Sequence, residues 1–231
     1  MRINKFIAKS GYTSRRKADD LIKNNKVLVN NSIMNEPGYD VKEDDIVEIN
    51  GQILKIEEYF YYKLNKPVGY ITSNYDPYNE RDLNDLVKLD QKFFAAGRLD
   101  KDSHGLLIIT NDGDFSNKLI HPSHKLSKEY IVKVNRELKS DEINKFKNGL
   151  DIGSGEITSK ANIKLIDKNT YNVVIYQGFN RQIRRMFGVF GANVLDLKRI
   201  RIGEIYLEKL DQYQMEKFDK KEMEFVKRIK G

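Results

Sequence analysis

Apolar and polar residues first fall into a helical repeat. Ala18, Leu21 and Ile22 form one stripe after Ser14, whose hydroxyl suits a helix cap, so a helix is predicted from Arg15. Asn24-Asn25 ends it. Lys26–Val29 then reads as a short strand with Asn30-Asn31 as its turn, and Ile46–Ile49 as another strand closed by Asn50-Gly51. Two short helices and a few strands thus fill the first 57 residues. Past Glu57-Glu58 the texture changes. An aromatic run, Tyr59-Phe60-Tyr61-Tyr62, leads into Lys63-Leu64-Asn65-Lys66-Pro67. Leu106–Thr110 is a continuous apolar strand followed by an Asn111-Asp112-Gly113 turn. Lys128–Val134 alternates, with Tyr130, Val132 and Val134 on one face, and Tyr171–Tyr176 is a further strand. From Asn180 the period returns to helical: Ile183, Met186, Phe187 and Phe190 make an apolar face. Arg181, Arg184 and Arg185 make a basic stripe beside it, with Asn180 as the expected cap. The pattern contains no internal repeat and no low-complexity tract.

Charge adds a partner class to this outline. The 231 residues carry a formal charge of +7, unevenly spread. Residues 1–31 hold eight Lys/Arg against two Asp, a net +6, and residues 32–57 hold two Lys against seven acids, a net −5. A small domain with one strongly positive segment has the electrostatic footprint of a nucleic-acid binder. The chain contains no Cys, which removes disulfides, thiolate zinc sites and cysteine nucleophiles. His121 and His124 stand three apart without a carboxylate motif and read as solvated loop histidines. The N-terminus lacks the apolar core of a signal peptide, and no apolar run approaches the roughly 20 residues of a membrane span. A soluble, cytoplasmic protein without a membrane partner is expected.

Two stretches invite chemistry. Three arginines on one helix repel one another unless RNA phosphates or a carboxylate neutralise them; an exposed, salt-bridged helix is the plainer alternative. In Gly97-Arg98-Leu99-Asp100-Lys101-Asp102-Ser103-His104-Gly105, the spacing of Asp100, Asp102 and Gly105 suggests a calcium loop. The fifth position is His104 and the twelfth is Asn111, however, so the bidentate carboxylate is missing. On its own, Asp100 is a plausible turn or capping residue.

The ordered set of motifs supports a family resemblance. Arg2-Ile3-Asn4-Lys5-Phe6-Ile7-Ala8, Ser14-Arg15-Arg16-Lys17-Ala18 and Val27-Leu28-Val29-Asn30 together resemble the RNA-binding module named after ribosomal protein S-four. The resemblance implies that Arg15, Arg16 and Lys17 face RNA. Gly97–Leu106 resembles the signature of the RsuA/RluB/RluF family of bacterial ribosomal RNA pseudouridine synthases. Leu64-Asn65-Lys66-Pro67-x-Gly69, Lys128-Glu129-Tyr130, Asn180–Met186 and Leu197-x-Arg199-x-Arg201-Ile202-Gly203 resemble the family's other motifs in the right order. The similarity implies a two-domain α+β protein. Residues 1–57 would form the RNA-binding domain, and residues 60–231 a catalytic domain with a mixed, mostly antiparallel sheet. It further implies isomerisation of a ribosomal RNA uridine to pseudouridine, with no cofactor and no metal. Asp100 would be the carboxylate nucleophile, paired with Arg184, and Tyr130 would stack on the base. Arg98 would hold the RNA open, with Arg181 and Arg185 as further RNA contacts. Asn65 and Lys66 are expected to shape the fold near the site. Gln177 and Phe179 depart from the commoner Glu and basic residue, which implies a place nearer the RluF-like branch than the RluB-like one. Gln177 and the Lys101-Asp102-Ser103 run favour large-subunit RNA, with small-subunit RNA close behind. The expected partner is ribosomal RNA or an assembly intermediate, bound by a monomer. The rival expectation is a non-catalytic RNA-binding or ribosome-assembly protein on the same fold. It would require no conjunction of Asp100, Tyr130 and Arg184.

Overall fold

The computed structural model describes residues 1–74, 78 and 81–231. The chain divides into two compact units, Met1–Phe60 with Leu89–Lys92, and Tyr61–Lys88 with Phe93–Gly231.

In the first unit, helices α1 (Ile3–Lys9) and α2 (Arg15–Lys23) precede four short strands. These are β1 (Val27–Val29), β2 (Ser32–Ile33), β3 (Val47–Ile49) and β4 (Gln52–Ile53), in the antiparallel order β2-β1-β3-β4. The Ser14 hydroxyl accepts from the Lys17 N–H at 3.3 Å, satisfying an orphan donor of the first turn of α2. Asn30-Asn31 and Asn50-Gly51 all have positive φ, as two-residue hairpin turns matched to strand twist require. Ile3, Ile7, Ala18, Ile22, Val27 and Val47 close the core, and Leu21 packs against its margin. The apolar face of α2 is thereby used up, which leaves Arg15, Arg16 and Lys17 exposed.

The second unit begins with β5 (Tyr61–Lys66), α3 (Leu83–Leu86), β6 (Phe94–Ala96), β7 (His104–Thr110) and α4 (Gly113–Ile120). It continues through a 3₁₀ turn at Pro122–His124, β8 (Lys128–Val134), α5 (Ser140–Asn148), β9 (Asn162–Asp167) and β10 (Thr170–Ile175). α6 (Gln182–Gly188), β11 (Val194–Ile202), β12 (Ile205–Tyr206), β13 (Met215–Lys217) and α7 (Lys220–Lys230) complete it. Nine strands form one sheet, ordered β13-β5-β7-β11-β8-β10-β9, with β12 on β11 and β6 on β7. Every pairing is antiparallel except β7 with β11, so the sheet is mixed and mostly antiparallel as expected.

β7 is buried along its whole length, which accounts for its unbroken apolar run. It starts two residues earlier than its apolar pattern, at His104 and Gly105. His104 is buried, with Nε2 2.9 Å from an Asp196 carboxylate oxygen. His121 and His124 are exposed in the 3₁₀ turn. The Asn111-Asp112-Gly113 turn becomes a cap: the Asp112 carboxylate accepts from the Asp114 and Phe115 N–H groups at the start of α4. At α6 the expectation is corrected. Asn180 does not cap the helix. The residue at the cap is Arg181, in the left-handed region at φ 50°, and its side chain makes no capping bond.

Candidate active site

Asp100 lies in the loop between β6 and β7, and that loop is held from three sides. Gly97 turns the chain out of β6 at φ +86°, a conformation that suits glycine. Thr72 then grips Leu99 twice: its hydroxyl donates to the Leu99 carbonyl at 2.7 Å and accepts from the Leu99 N–H at 3.1 Å. The Gly69 N–H donates to the Lys101 carbonyl at 2.8 Å. The gripping turn is itself tied down by Lys66, fully buried, whose ammonium donates to the carbonyls of Pro67 at 2.9 Å and Tyr70 at 2.8 Å. Burial pushes the Lys66 ammonium down to about 8, opposed by the charges of Asp100 and Asp102 and assisted by that of Arg199. Asn65, alongside, donates to the Leu210 carbonyl at 2.7 Å. Lys66 thus shapes the turn that holds the Asp100 loop, whereas Asn65 holds the chain at Leu210.

The arginines are arranged differently from expectation. Arg181 makes a bidentate pair with Asp102, at 3.0 and 2.9 Å, and its Nη1 stands 3.7 Å from an Asp100 oxygen. Arg184, expected to pair with Asp100, makes no hydrogen bond or ion pair with it among the described residues. Its Nη1 donates to the Val194 carbonyl at 3.0 Å, and its Nη2 to the Asp102 carbonyl at 2.7 Å and the Ser103 hydroxyl at 3.2 Å. Its Nε lies 3.3 Å from an Asp102 oxygen. Arg184 is a strut that ties α6 and β11 to the Asp100 loop. Arg185 points elsewhere again, donating to the Ile152 and Gly153 carbonyls and pairing with Glu156. The single basic stripe breaks up because Arg181 is not helical: its left-handed backbone takes it out of the spacing that would stack it over Arg184 and Arg185. The hydrogen bond from Arg181, aided by the charges of Arg184 and Arg181, outweighs partial burial and holds the Asp102 carboxyl below its usual range.

Asp100 opens onto a cleft of about 620 Å³, inside the roughly 300–1,000 Å³ span of small-ligand sites. Tyr130, 8% exposed, lies in its wall, and Arg98, Lys128, Arg181 and Arg199 line it as well. Asp100, 30% exposed, is the only carboxylate on that wall among the described residues. Tyr130 and Arg199 are direct cross-strand partners on β8 and β11, and Lys128 lies two residues before Tyr130 on β8. The pleat therefore sets all three on one face. The cleft-lining places of Lys128 and Arg199 were missed from sequence, although the parity of Lys128 with Tyr130 was a usable signal. Phe179 also lines the cleft, while Gln177 accepts from the Ser159 N–H at 2.6 Å. Arg98 is exposed at the rim. Such a cleft can admit a flat, uncharged ring beside one carboxylate, within a positive surround suited to phosphates.

Residues 61–188, which contribute Asp100, Tyr130 and most of the cleft, match the family model described as RNA pseudouridylate synthase. The chain belongs to the RNA pseudouridylate synthase family. Residues 1–47 match the S4 domain, so the RNA-binding module precedes the synthase domain as expected. Relatives of this synthase include the ribosomal large subunit pseudouridine synthase B of Bacillus subtilis, 39% identical over 204 residues, covering 86% of this chain and 84% of the relative. The dual-specificity RNA pseudouridine synthase RluF of Escherichia coli is 38% identical over 211 residues, covering 90% of this chain and 71% of the relative. A crystal structure of a pseudouridylate synthase superposes with a TM-score of 0.73 at 28% identity, over 98% of this chain and 99% of that one. The synthase is thus an isomerase acting on RNA, and the reading as a non-catalytic binder falls away.

Proposed function

We propose that this synthase converts a uridine of ribosomal RNA to pseudouridine, with Asp100 as its nucleophile and large-subunit RNA as its substrate. The observation that carries the reading is the isolation of Asp100: one carboxylate on a cleft wall that also presents Tyr130 and four cationic side chains. A nucleophile needs free oxygens, and Arg181 sets a positive charge 3.7 Å from Asp100 without a hydrogen bond to it. The target uridine must leave its stack to reach Asp100, and the cleft gives it an aromatic platform at Tyr130. Arg98 and Arg181 at the opening suit the flanking phosphates. Residues 1–57, with Arg15, Arg16 and Lys17 exposed on α2, would grip RNA, and residues 60–231 would do the chemistry. Large-subunit RNA is favoured by Gln177 and by the Bacillus subtilis relative, which is named for that subunit. Such an enzyme works in the cytoplasm as a monomer on ribosomal RNA or an assembly particle. Among the described residues no helix is long and apolar enough to cross a membrane.

Tritium release from [5-³H]uridine-labelled ribosomal RNA tests this. The wild-type protein should release tritium from large-subunit RNA or its assembly particle, and Asp100→Asn should release none. A silent wild type on every ribosomal RNA would sink the substrate assignment. An Asp100→Asn variant as fast as wild type would remove Asp100 from the nucleophile's role.

A further inference from the structure

Two cations that line the cleft, Arg199 and Lys128, have no ion-pair partner among the described residues. Arg199 is 4% exposed; its Nε donates to the Leu106 carbonyl at 2.7 Å and its Nη1 to the Arg98 carbonyl at 3.2 Å. Its Nη2 is buried and has no hydrogen-bond partner among the described residues. Lys128 stands on the same sheet face, half-buried, and has no hydrogen bond or ion pair among the described residues. A buried guanidinium nitrogen without an acceptor is costly, since the charge has given up water for nothing. Burial, and then the charge of Arg199, push the Lys128 ammonium below its ordinary value, as expected of a cation with no carboxylate beside it. The nearest acids on these strands are occupied elsewhere: Glu129 pairs with Arg201, and Asp196 lies against His104. The site is therefore arranged for an anion that arrives from outside.

The reaction supplies one. When the C1′–N1 bond breaks, its electron pair stays on the base and spreads from N1 onto O2 and O4. If a carboxylate first adds to C6, the C5=C6 pair is displaced towards C5 and O4 instead. By either route the base oxygens gain negative charge. In the first route Asp100 holds C1′, and the charge is lost when C5 bonds to C1′ and displaces the carboxylate. In the second it is lost when C5 bonds to C1′ and the carboxylate is expelled from C6. In both, the C5 proton then passes to solvent and N1 takes one up. A ring lying on Tyr130 has its edges beside the side chains flanking Tyr130, namely Lys128 and Arg199.

We propose that Lys128 and the free Nη2 of Arg199 are catalytic residues that take the negative charge of the uracil base while it is detached from its ribose. The inference rests on the reading of Asp100 and Tyr130 given above. It assigns the pair to the reacting base and not to RNA phosphates, because the two cations lie beside the aromatic platform and Arg199 is almost wholly buried. Donors aimed at developing charge in a closed site act mainly on the transition state. Arg199 has a second role, since its hold on the Arg98 carbonyl positions the loop that carries Asp100.

Single-turnover tritium release at saturating RNA, measured alongside the RNA dissociation constant, tests the proposal. Lys128→Met should slow release by about 100-fold or more while RNA affinity stays within about threefold. Lys128→Arg should recover most of the rate, and Lys128→Gln provides a second uncharged variant should the methionine variant fail to fold. On RNA carrying 5-fluorouridine, whose base anion is stabilised by the fluorine, the deficit of the uncharged variants should shrink, read as loss of the substrate nucleoside. A Lys128→Met rate within threefold of wild type overturns the proposal. So does a defect confined to RNA affinity, which would make Lys128 a phosphate contact, or an undiminished deficit on 5-fluorouridine. A wild type that releases no tritium condemns the functional reading first, and this inference with it.

Discussion

Asp102 holds the arginine nearest Asp100. Its two oxygens take both terminal nitrogens of Arg181, and the oxygens of Asp100 are left open at 3.7 Å or beyond. The division suits a nucleophile: the arginine stands beside Asp100, but its hydrogen bonds go to Asp102 and do not consume the Asp100 lone pairs. Asp102→Asn removes the bidentate anchor and frees Arg181 to close on Asp100. We expect release of tritium to slow by about 10- to 100-fold, the usual cost of a small misplacement at a reacting centre, with RNA affinity little changed. A turnover equal to wild type would show that Arg181 needs no anchor. The clamp should also set an acid limit. The Asp102 carboxyl is held below its usual 3.8, so the stability it contributes is present above that value and is lost as pH falls through the lowered one. The neutral range leaves the clamp intact. At this scale the residue types were legible in the motifs, whereas their pairing was not. Which arginine meets which aspartate depends on the left-handed backbone at Arg181, and an arginine announces no such conformation.

Gly105 shows what the parallel pairing of β7 and β11 demands. It has φ +103°, and a Cβ there would lie 2.2 Å from the Arg199 carbonyl oxygen and 2.8 Å from the Arg199 nitrogen. The backbones of Gly105 and Arg199 are register partners, so the missing side chain lets β11 approach β7 and brings Arg199 to the cleft. Gly105→Ala combines a strained φ with a backbone clash, and we expect a loss of about 3 kcal/mol. Calorimetry should show a thermal midpoint roughly 6–12 °C lower. An unchanged midpoint would mean that the strands separate at little cost. Elements with a strong period were legible: α2 by its Ser14 cap and apolar stripe, and β8 by the alternation that buries Tyr130, Val132 and Val134. The short strands β6, β12 and β13 carry no such signal. Two or three residues cannot display a period, and such strands exist because a longer neighbour offers its edge. The first residues of β7 escaped for a related reason. His104 and Gly105 look like loop residues until β11 lies beside them.

The first 31 residues carry a net +6, and the fold of that unit explains how so much positive charge remains available. Its core takes Ala18 and Ile22 from α2 and leaves Arg15, Arg16 and Lys17 on the opposite side, exposed. The acids of residues 32–57 follow on later strands and turns, where Asp45, for one, accepts from Asn30, Tyr39 and the Lys42 N–H. The cleft, by contrast, is built wholly from residues of the second unit. Binding and chemistry should therefore separate under mutation. Replacing Arg15, Arg16 and Lys17 by Ala should weaken RNA binding at low salt. Each lost phosphate contact removes roughly 0.7–0.9 from the slope of log affinity against log salt, so the slope should flatten by about 2–3. Turnover at saturating RNA should stay near wild type, because no reacting group has been touched. Binding titrations across a salt series, paired with single-turnover release, read both quantities on one preparation. A flattened slope with full turnover assigns the three side chains to phosphate contacts. An unchanged slope would return them to solvent, and the N-terminal unit would then have to hold RNA by another face.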